Sequence, residues 1–225
     1  GKELNAYILA GLQSDHECTN FPEAEEKLRC GMYIYLREGS TERNIEELAS
    51  LVSRSTVSRC CFATDDCHAD LLLNEGHIDR CIRKAVQCGI VPELAIRMAT
   101  LSAAERFGLS CYGALSPGRC ADFCIVDDPE TFRVEEVFVA GNPLKTAVSV
   151  PPSGKKLRSH FSCRVPAPSD LRIAEKGTAR VIGLVPGQIL TEARSVECDG
   201  AALPDIDRDI LKVVGCNRYG KKSIA

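Results

Sequence analysis

The sequence predicts an α/β protein, and three observations carry that expectation. Short apolar runs alternate with helical patterns up to about residue 108, an imidazole and several carboxylates stand just beyond those runs, and from Gly113 the apolar spacing changes to period two. Alternating strand and helix argues a parallel sheet, and parallel sheets gather their chemistry at the C-terminal ends of their strands. Three or four strands cannot close a barrel alone. Residues 1–108 are therefore expected to form either a small open sheet or the C-terminal part of a larger barrel.

Each element has its own local warrant. Residues 3–10 have the apolar spacing of a short helix closed by Gly11, after which Leu12-Gln13-Ser14 runs out as a strand to Asp15-His16-Glu17. Thr19 or Asn20 caps the next helix, Pro22 fits its first turn, and Glu23, Glu25 and Glu26 sit where the helix dipole favours acids; Gly31 ends it. Residues 32–36 are strand formers that deliver Arg37-Glu38-Gly39-Ser40 into a loop, and 44–52 is helical again. A third strand, 60–64, ends in Asp65-Asp66 and opens a long segment over 67–75.

A strongly periodic helix starts near Gly76, with Ile78, Cys81, Ile82, Ala85 and Val86 on one face and Gly89 closing it, so that it should cover the sheet. Pro92 starts another helix through Met98, and Ser102 is expected to cap a last one over 103–107. Beyond that, 120–126 and 134–140 read as a β-hairpin module followed by a Gly141-Asn142-Pro143 turn. Residues 151–164, with Lys155-Lys156, form a Pro-, Gly- and Ser-containing linker, and β-rich sequence follows through 180–190. The apolar run 210–214 should be a strand or helix, which makes the C-terminus look cut short.

Composition narrows the function. A net charge of −3 with 26% charged residues gives no basic excess that would draw the chain to nucleic acid or anionic lipid. No apolar run approaches the roughly 20 residues that span a bilayer, and no signal-peptide layout opens the chain, so a cytoplasmic protein is expected. The 13 cysteines are odd in number and none are spaced C-x-x-C. They are expected to be reduced and mostly buried, the alternative being a ligand cluster of Cys61, Cys67 and His68.

Several stretches together carry a resemblance. They are Ser14-Asp15-His16-Glu17-Cys18-Thr19, Arg37-Glu38-Gly39-Ser40, Thr64-Asp65-Asp66 with His68, Glu75-Gly76-His77-Ile78-Asp79, Ile96-Arg97-Met98-Ala99-Thr100, the Gly113 to Asp122 run containing Pro117-Gly118-Arg119-Cys120-Ala121-Asp122, and Ile182-Gly183-Leu184-Val185-Pro186-Gly187-Gln188-Ile189. The chain resembles the adenine deaminase branch of the amidohydrolase superfamily. The P-G-x-x-A-D piece is shared across that superfamily, whereas S-D-H-E with T-D-D points to the adenine branch. The resemblance implies a fragment: 1–108 as the C-terminal half of a metal-dependent hydrolase (β/α)8 TIM barrel, 109–150 as strands of the small β-sandwich, 151–164 as linker, and 165–225 as the start of a further α+β domain.

It also implies roles. His16 maps onto the metal-binding histidine of strand six and Asp65 onto the aspartate ending strand eight, so both are expected to ligate a divalent ion, manganese foremost with iron or zinc as alternatives. Such an ion lowers the pKa of bound water, and Asp65 would move its proton toward departing ammonia as the catalytic acid-base. Asp66 would orient the loop, with Glu17 and His68 as further candidates for the substrate or the outer shell. Read without the resemblance, His16 is a loop or cap histidine and Asp65-Asp66 a capping pair; Arg37 and Glu38, at another strand end, are expected to be an ion pair supporting the site. The expected partner is adenine, in purine salvage, within a homo-oligomer that binds neither nucleic acid nor membrane.

The departures are equally specific. The superfamily supplies an H-x-H pair, a bridging carboxylate or carbamylated lysine, and a histidine from earlier strands; no H-x-H occurs here, and the other histidines are His68, His77 and His160. The chain alone is therefore expected to be inactive. The H-x-E with P-C-x-x-C signature of the other nucleobase deaminases is also missing. Two alternatives stand: another amidohydrolase acting on a cyclic amide or nucleobase, and a non-catalytic remnant serving as an interaction module.

Overall fold

Strand β1 (Ser14–Asp15), β2 (Tyr33–Arg37) and β3 (Cys60–Ala63) form a parallel sheet in the order β1-β2-β3, in a computed structural model that describes residues 1–145, 165–171, 176–186, 188–199, 204–217 and 219. Helix α1 (Lys2–Leu9) precedes β1, and α2 (Phe21–Arg29) joins β1 to β2. The latter starts where its cap dictates: Asn20 Oδ1 accepts from Glu23 N–H at 3.0 Å, and Pro22 occupies the first turn, where a missing N–H loses nothing. Between β2 and β3 runs α3 (Ile45–Leu48), tightening into a 3₁₀ turn over Ala49–Leu51.

The sheet is two-faced because successive residues alternate. Ile34, Leu36, Cys60 and Phe62 share one face and join the core with Ile45 and Leu48 of α3, Cys81, Ile82 and Ala85 of α5 (Ile78–Gln87), and Ala95 and Met98 of α6 (Pro92–Ala99). Each fully buried Ile, Leu or Met side chain there contributes about 1.5–3 kcal/mol relative to exposure. On the opposite face, Arg59 and Arg106 lie 4.9 and 5.4 Å from the Tyr33 ring centre, and Phe107 approaches Tyr35 at 6.5 Å. Arg37, two residues beyond Tyr35, emerges on that second face.

The long segment 67–75 contains a short helix, α4 (Ala69–Asn74), whose first turn closes with Leu72 N–H on His68 O. One expectation after β3 is corrected. Ser102 does not cap the last helix but lies inside α7 (Leu101–Arg106), fully buried, and its hydroxyl donates to Val57 O at 2.7 Å. That bond ties α7 to the turn leading into β3, a better use of a buried hydroxyl than a cap exposed to water. The cysteines also depart from expectation: of those described, Cys18, Cys60, Cys61 and Cys81 are buried, while Cys30, Cys111, Cys124 and Cys216 are exposed. Burial pushes each of the four buried thiols up to about 12, so they behave as apolar side chains.

Antiparallel pairing begins with β4 (Phe123–Val126), which joins β5 (Val134–Val139) and β6 (Asn142–Pro143) in the order β4-β5-β6, with Phe123 stacked on Phe138 at 4.5 Å. The turn into β6 runs through Ala140 and Gly141, both in the left-handed region. By its internal contacts the chain divides into a unit of Gly1–Ala147 with Pro186–Ile189 and a second of Val148–Val185 with Leu190–Ala225. In the second, β7 (Lys176–Leu184) and β8 (Thr191–Asp199) pair antiparallel over nine residues each. The apolar run 210–214 forms no regular element; Leu211 and Val213 are exposed, and only Ile210, bridged to Asp205, is buried. The expected linker with Lys155-Lys156 and His160, and the basic pair Lys221-Lys222, lie outside the described residues. Among the described residues no helix is long and apolar enough to cross a membrane.

Candidate metal centre at the strand ends

The three parallel strands deliver three loops side by side: His16-Glu17 after β1, Arg37 to Ser40 at the end of β2, and Thr64 to His68 after β3. Parallel register makes this unavoidable, because all the strands point the same way and neighbours lie about 4.8 Å apart. His16 Nε2 stands 3.7 Å from Asp65 Oδ2 and 3.2 Å from Glu17 Oε1. These three side chains offer ligand atoms within 4.8 Å of one another, and all three are exposed. Asp65 adopts φ +50°, a left-handed conformation uncommon among non-glycine residues and entered more readily by aspartate and asparagine than by most.

Arg37 organises the group. Its Nη1 donates to Asp65 Oδ2 at 2.7 Å and to Glu17 Oε1 at 3.0 Å, while its side chain is only 5% exposed. Burial lowers the guanidinium's pKa, and the hydrogen bonds to Asp65 and Glu17 outweigh that and raise it above its ordinary value. The expected Arg37–Glu38 pair is not what forms. Glu38 turns to the opposite side of the strand end, where Arg43 and Arg80 lie 3.7 and 3.9 Å from Oε1, and burial pushes its carboxyl above the usual range. Consecutive residues at a strand end point to opposite faces, so the two could not share a partner.

The frame beneath the site is built from backbone-directed bonds. Asn44, buried, accepts from Arg37 N–H at 2.5 Å, donates its own N–H to Arg37 O at 2.9 Å and donates Nδ2 to Cys18 O at 3.0 Å. It thereby clamps the β2 end to the β1 loop. Asp15 accepts from Glu17 N–H at 2.7 Å and from Lys27 Nζ at 2.5 Å; burial raises its pKa, and those two bonds overcome this and hold it below the ordinary carboxylate value. Lys27 also reaches Glu23 at 2.5 Å, so the neighbouring group Asp15, Cys18 and Glu23 is already filled by an ammonium.

Asp66 and His68 are not brought to His16. Asp66 accepts Thr41 Oγ1–H at 3.1 Å on its side chain, and Ser40 N–H and Oγ–H at 3.2 and 2.5 Å on its backbone carbonyl; His68 N–H donates to Ser40 Oγ at 2.8 Å. Both residues anchor the β3 loop to the β2 loop. Gly39 permits that approach, because a Cβ there would run into Asp66 Oδ1. His77 Nε2 pairs with Thr64 Oγ1 at 3.0 Å below the loop. Cys61, Cys67 and His68 do not converge: among the described residues the groups close enough to hold an ion are the two already named. Arg37 supports the site as the sequence suggested, though through Glu17 and Asp65 and not Glu38, while Asn44 as an organiser was missed. The available signal was its place at a helix start, facing the same loops.

The donor set fits a divalent cation. An imidazole nitrogen and two carboxylate oxygens within one ion's reach, open to solvent, suit manganese, iron or zinc by ligand type. Three donors fall short of the six that manganese commonly takes among oxygen and nitrogen ligands.

Comparison with known proteins came out consistently. A model described as the amidohydrolase family matches residues 2–155. An adenine deaminase from Methanoregula boonei is 59% identical over 224 residues, covering 100% of this chain and 40% of that protein. One from Methanoculleus marisnigri is 58% identical over 219 residues, covering 97% and 42%, and one from Kosmotoga olearia 43% identical over 237 residues, covering 100% and 41%. The chain thus spans about two fifths of the length of the curated relatives it matches.

Proposed function

This chain belongs to the amidohydrolase family, and we propose that it supplies part of the active site of an enzyme that hydrolyses adenine to hypoxanthine and ammonia. In this reading β1, β2 and β3 are the C-terminal strands of a (β/α)8 barrel, β4–β6 belong to the small sandwich, and residues 165–225 begin a further α+β domain. The remaining ligands and walls come from the part of the relatives' length that these residues do not span. The observation that carries the reading is the meeting of His16 and Asp65 from two separate strand ends, supported by relatives that bear the name adenine deaminase over the whole of this chain.

His16 and Asp65 would hold the divalent ion, with Glu17 adjacent. When bound, such an ion acts as a Lewis acid and lowers the pKa of water, manganese being our assignment. The chain's residues do the rest. Asp65 Oδ2 is held by Arg37, so Oδ1 is the oxygen that takes the proton from the attacking water and returns it to the departing amine. A C–O bond forms at the purine carbon bearing the amino group, its C–N bond breaks, and nitrogen leaves as ammonia. His16 presents Nε2 toward the two carboxylates and so to the ion they would share. We further assign a cytoplasmic homo-oligomer.

The test uses the full gene product that carries these residues, loaded with Mn²⁺, following adenine loss and ammonia release. Asp65→Asn should lower kcat by about 10²–10⁴-fold, the usual contribution of a positioned acid-base group. A loss under tenfold removes Asp65 from that role, and lack of stoichiometric metal in the unsubstituted protein favours a non-catalytic module.

A further inference from the structure

We infer that Arg37 is a positioning residue for the metal centre: its buried guanidinium fixes the Asp65 and Glu17 carboxylates so that they face His16. The inference rests on the metal-dependent reading above. One nitrogen, Nη1, reaches both carboxylates, at 2.7 Å and 3.0 Å, and so joins loops 20 and 28 residues away in the chain. The side chain is almost wholly buried whereas both carboxylates are exposed, so the cation is the fixed partner and the anions are the ones oriented. Its backbone is in turn locked by Asn44 on both N–H and C=O. Asp65 sits at φ +50° at the head of its loop, and Arg37 is the side chain seen to grip its carboxylate.

Electrostatics alone makes the opposite forecast, which gives the idea a clean sign. A positive charge within 3 Å of a ligand oxygen repels a divalent cation, so if Arg37 acted only through its charge its removal would tighten metal binding. If it positions, removal frees two carboxylates to repel each other and turn outward, and binding weakens. Outer partners of metal ligands typically change affinity 10- to 100-fold when lost.

Metal-free full gene product would be titrated with Mn²⁺, following the electron paramagnetic resonance signal of the free ion, for the unsubstituted protein, Arg37→Met and Arg37→Lys. Arg37→Met should weaken Mn²⁺ binding by at least about tenfold while the melting temperature of the metal-free protein changes little. Arg37→Lys should recover part of the loss, because a single nitrogen makes both contacts and an ammonium is also a one-nitrogen donor. Equal or tighter binding by Arg37→Met, beside normal binding by the unsubstituted protein, overturns this inference and leaves the deaminase reading intact. Absence of Mn²⁺ binding by the unsubstituted protein overturns both. Should Arg37→Met not fold, Arg37→Gln, neutral and polar, takes its place with the same expected weakening and the same overturning result.

Discussion

Individual side chains at the strand ends are held by charge-assisted bonds that are short and partly shielded, and their energetics are open to direct test. Asp15 is the clearest case, with Lys27 at 2.5 Å and side-chain exposures of 13% and 16%. Its folded pKa lies below the ordinary 3.8, so the stability it contributes is fully present above that value and drains away as pH falls through the lower folded one. Asp15→Asn should therefore lose about 1.5–3 kcal/mol at pH 5–8, as for other hydrogen bonds to charged groups, in urea unfolding. The gap between variant and parent should narrow below about pH 4; a gap that stays constant down to pH 2.5 would contradict the assignment. At this scale the sequence was informative about identity and silent about pairing. His16 and Asp65 stood out because each ends an apolar run, whereas Arg37 read as the natural partner of adjacent Glu38, and only strand alternation sends them to opposite sides.

Elements and their connections show a sharper division. Helix starts followed their local chemistry, as Asn20 and Pro22 at α2 demonstrate, and β2 and β3 appeared close to where strand formers cluster. Ser102 did not follow it, because a cap signal is only local and the buried carbonyl of Val57 offered the hydroxyl a better partner. The β2 and β3 loops interlock through Gly39, where an added methyl would meet Asp66 Oδ1 and stand 3.0 Å from Thr64 O and 3.1 Å from Glu42 O. Two of those three neighbours are backbone, so they cannot simply rotate aside. Gly39→Ala should cost about 1–3 kcal/mol, as overpacking usually does, and should displace the loop that carries Asp65. Denaturant unfolding measures the first effect, and a fall in Mn²⁺ affinity of the full gene product measures the second. A variant as stable as the parent with unaltered metal affinity would mean that the loops are not coupled.

At the scale of the whole molecule, the group His16, Glu17 and Asp65 offers one imidazole and two carboxylates among the described residues, which on the proposed reading are too few to complete an ion's coordination. The 225-residue chain by itself should yield no hypoxanthine from adenine above buffer with Mn²⁺ present, assayed by chromatography, while the full gene product does; turnover by the chain alone would refute the shared-site reading. What the amino-acid sequence determined unaided was the order and kind of most elements and the parallel sheet, since propensity, capping and periodicity act within a few residues of chain; the metal role expected of His16 and Asp65 came from the family resemblance. What only the tertiary structure decided was which side chains meet: Arg37 with Glu17 and Asp65, Asn44 with Cys18, and Asp66 against Gly39. Those partners are 20 to 28 residues apart in the chain, and their contact depends on strand register and on a few ångströms between neighbouring loops, which no local pattern encodes.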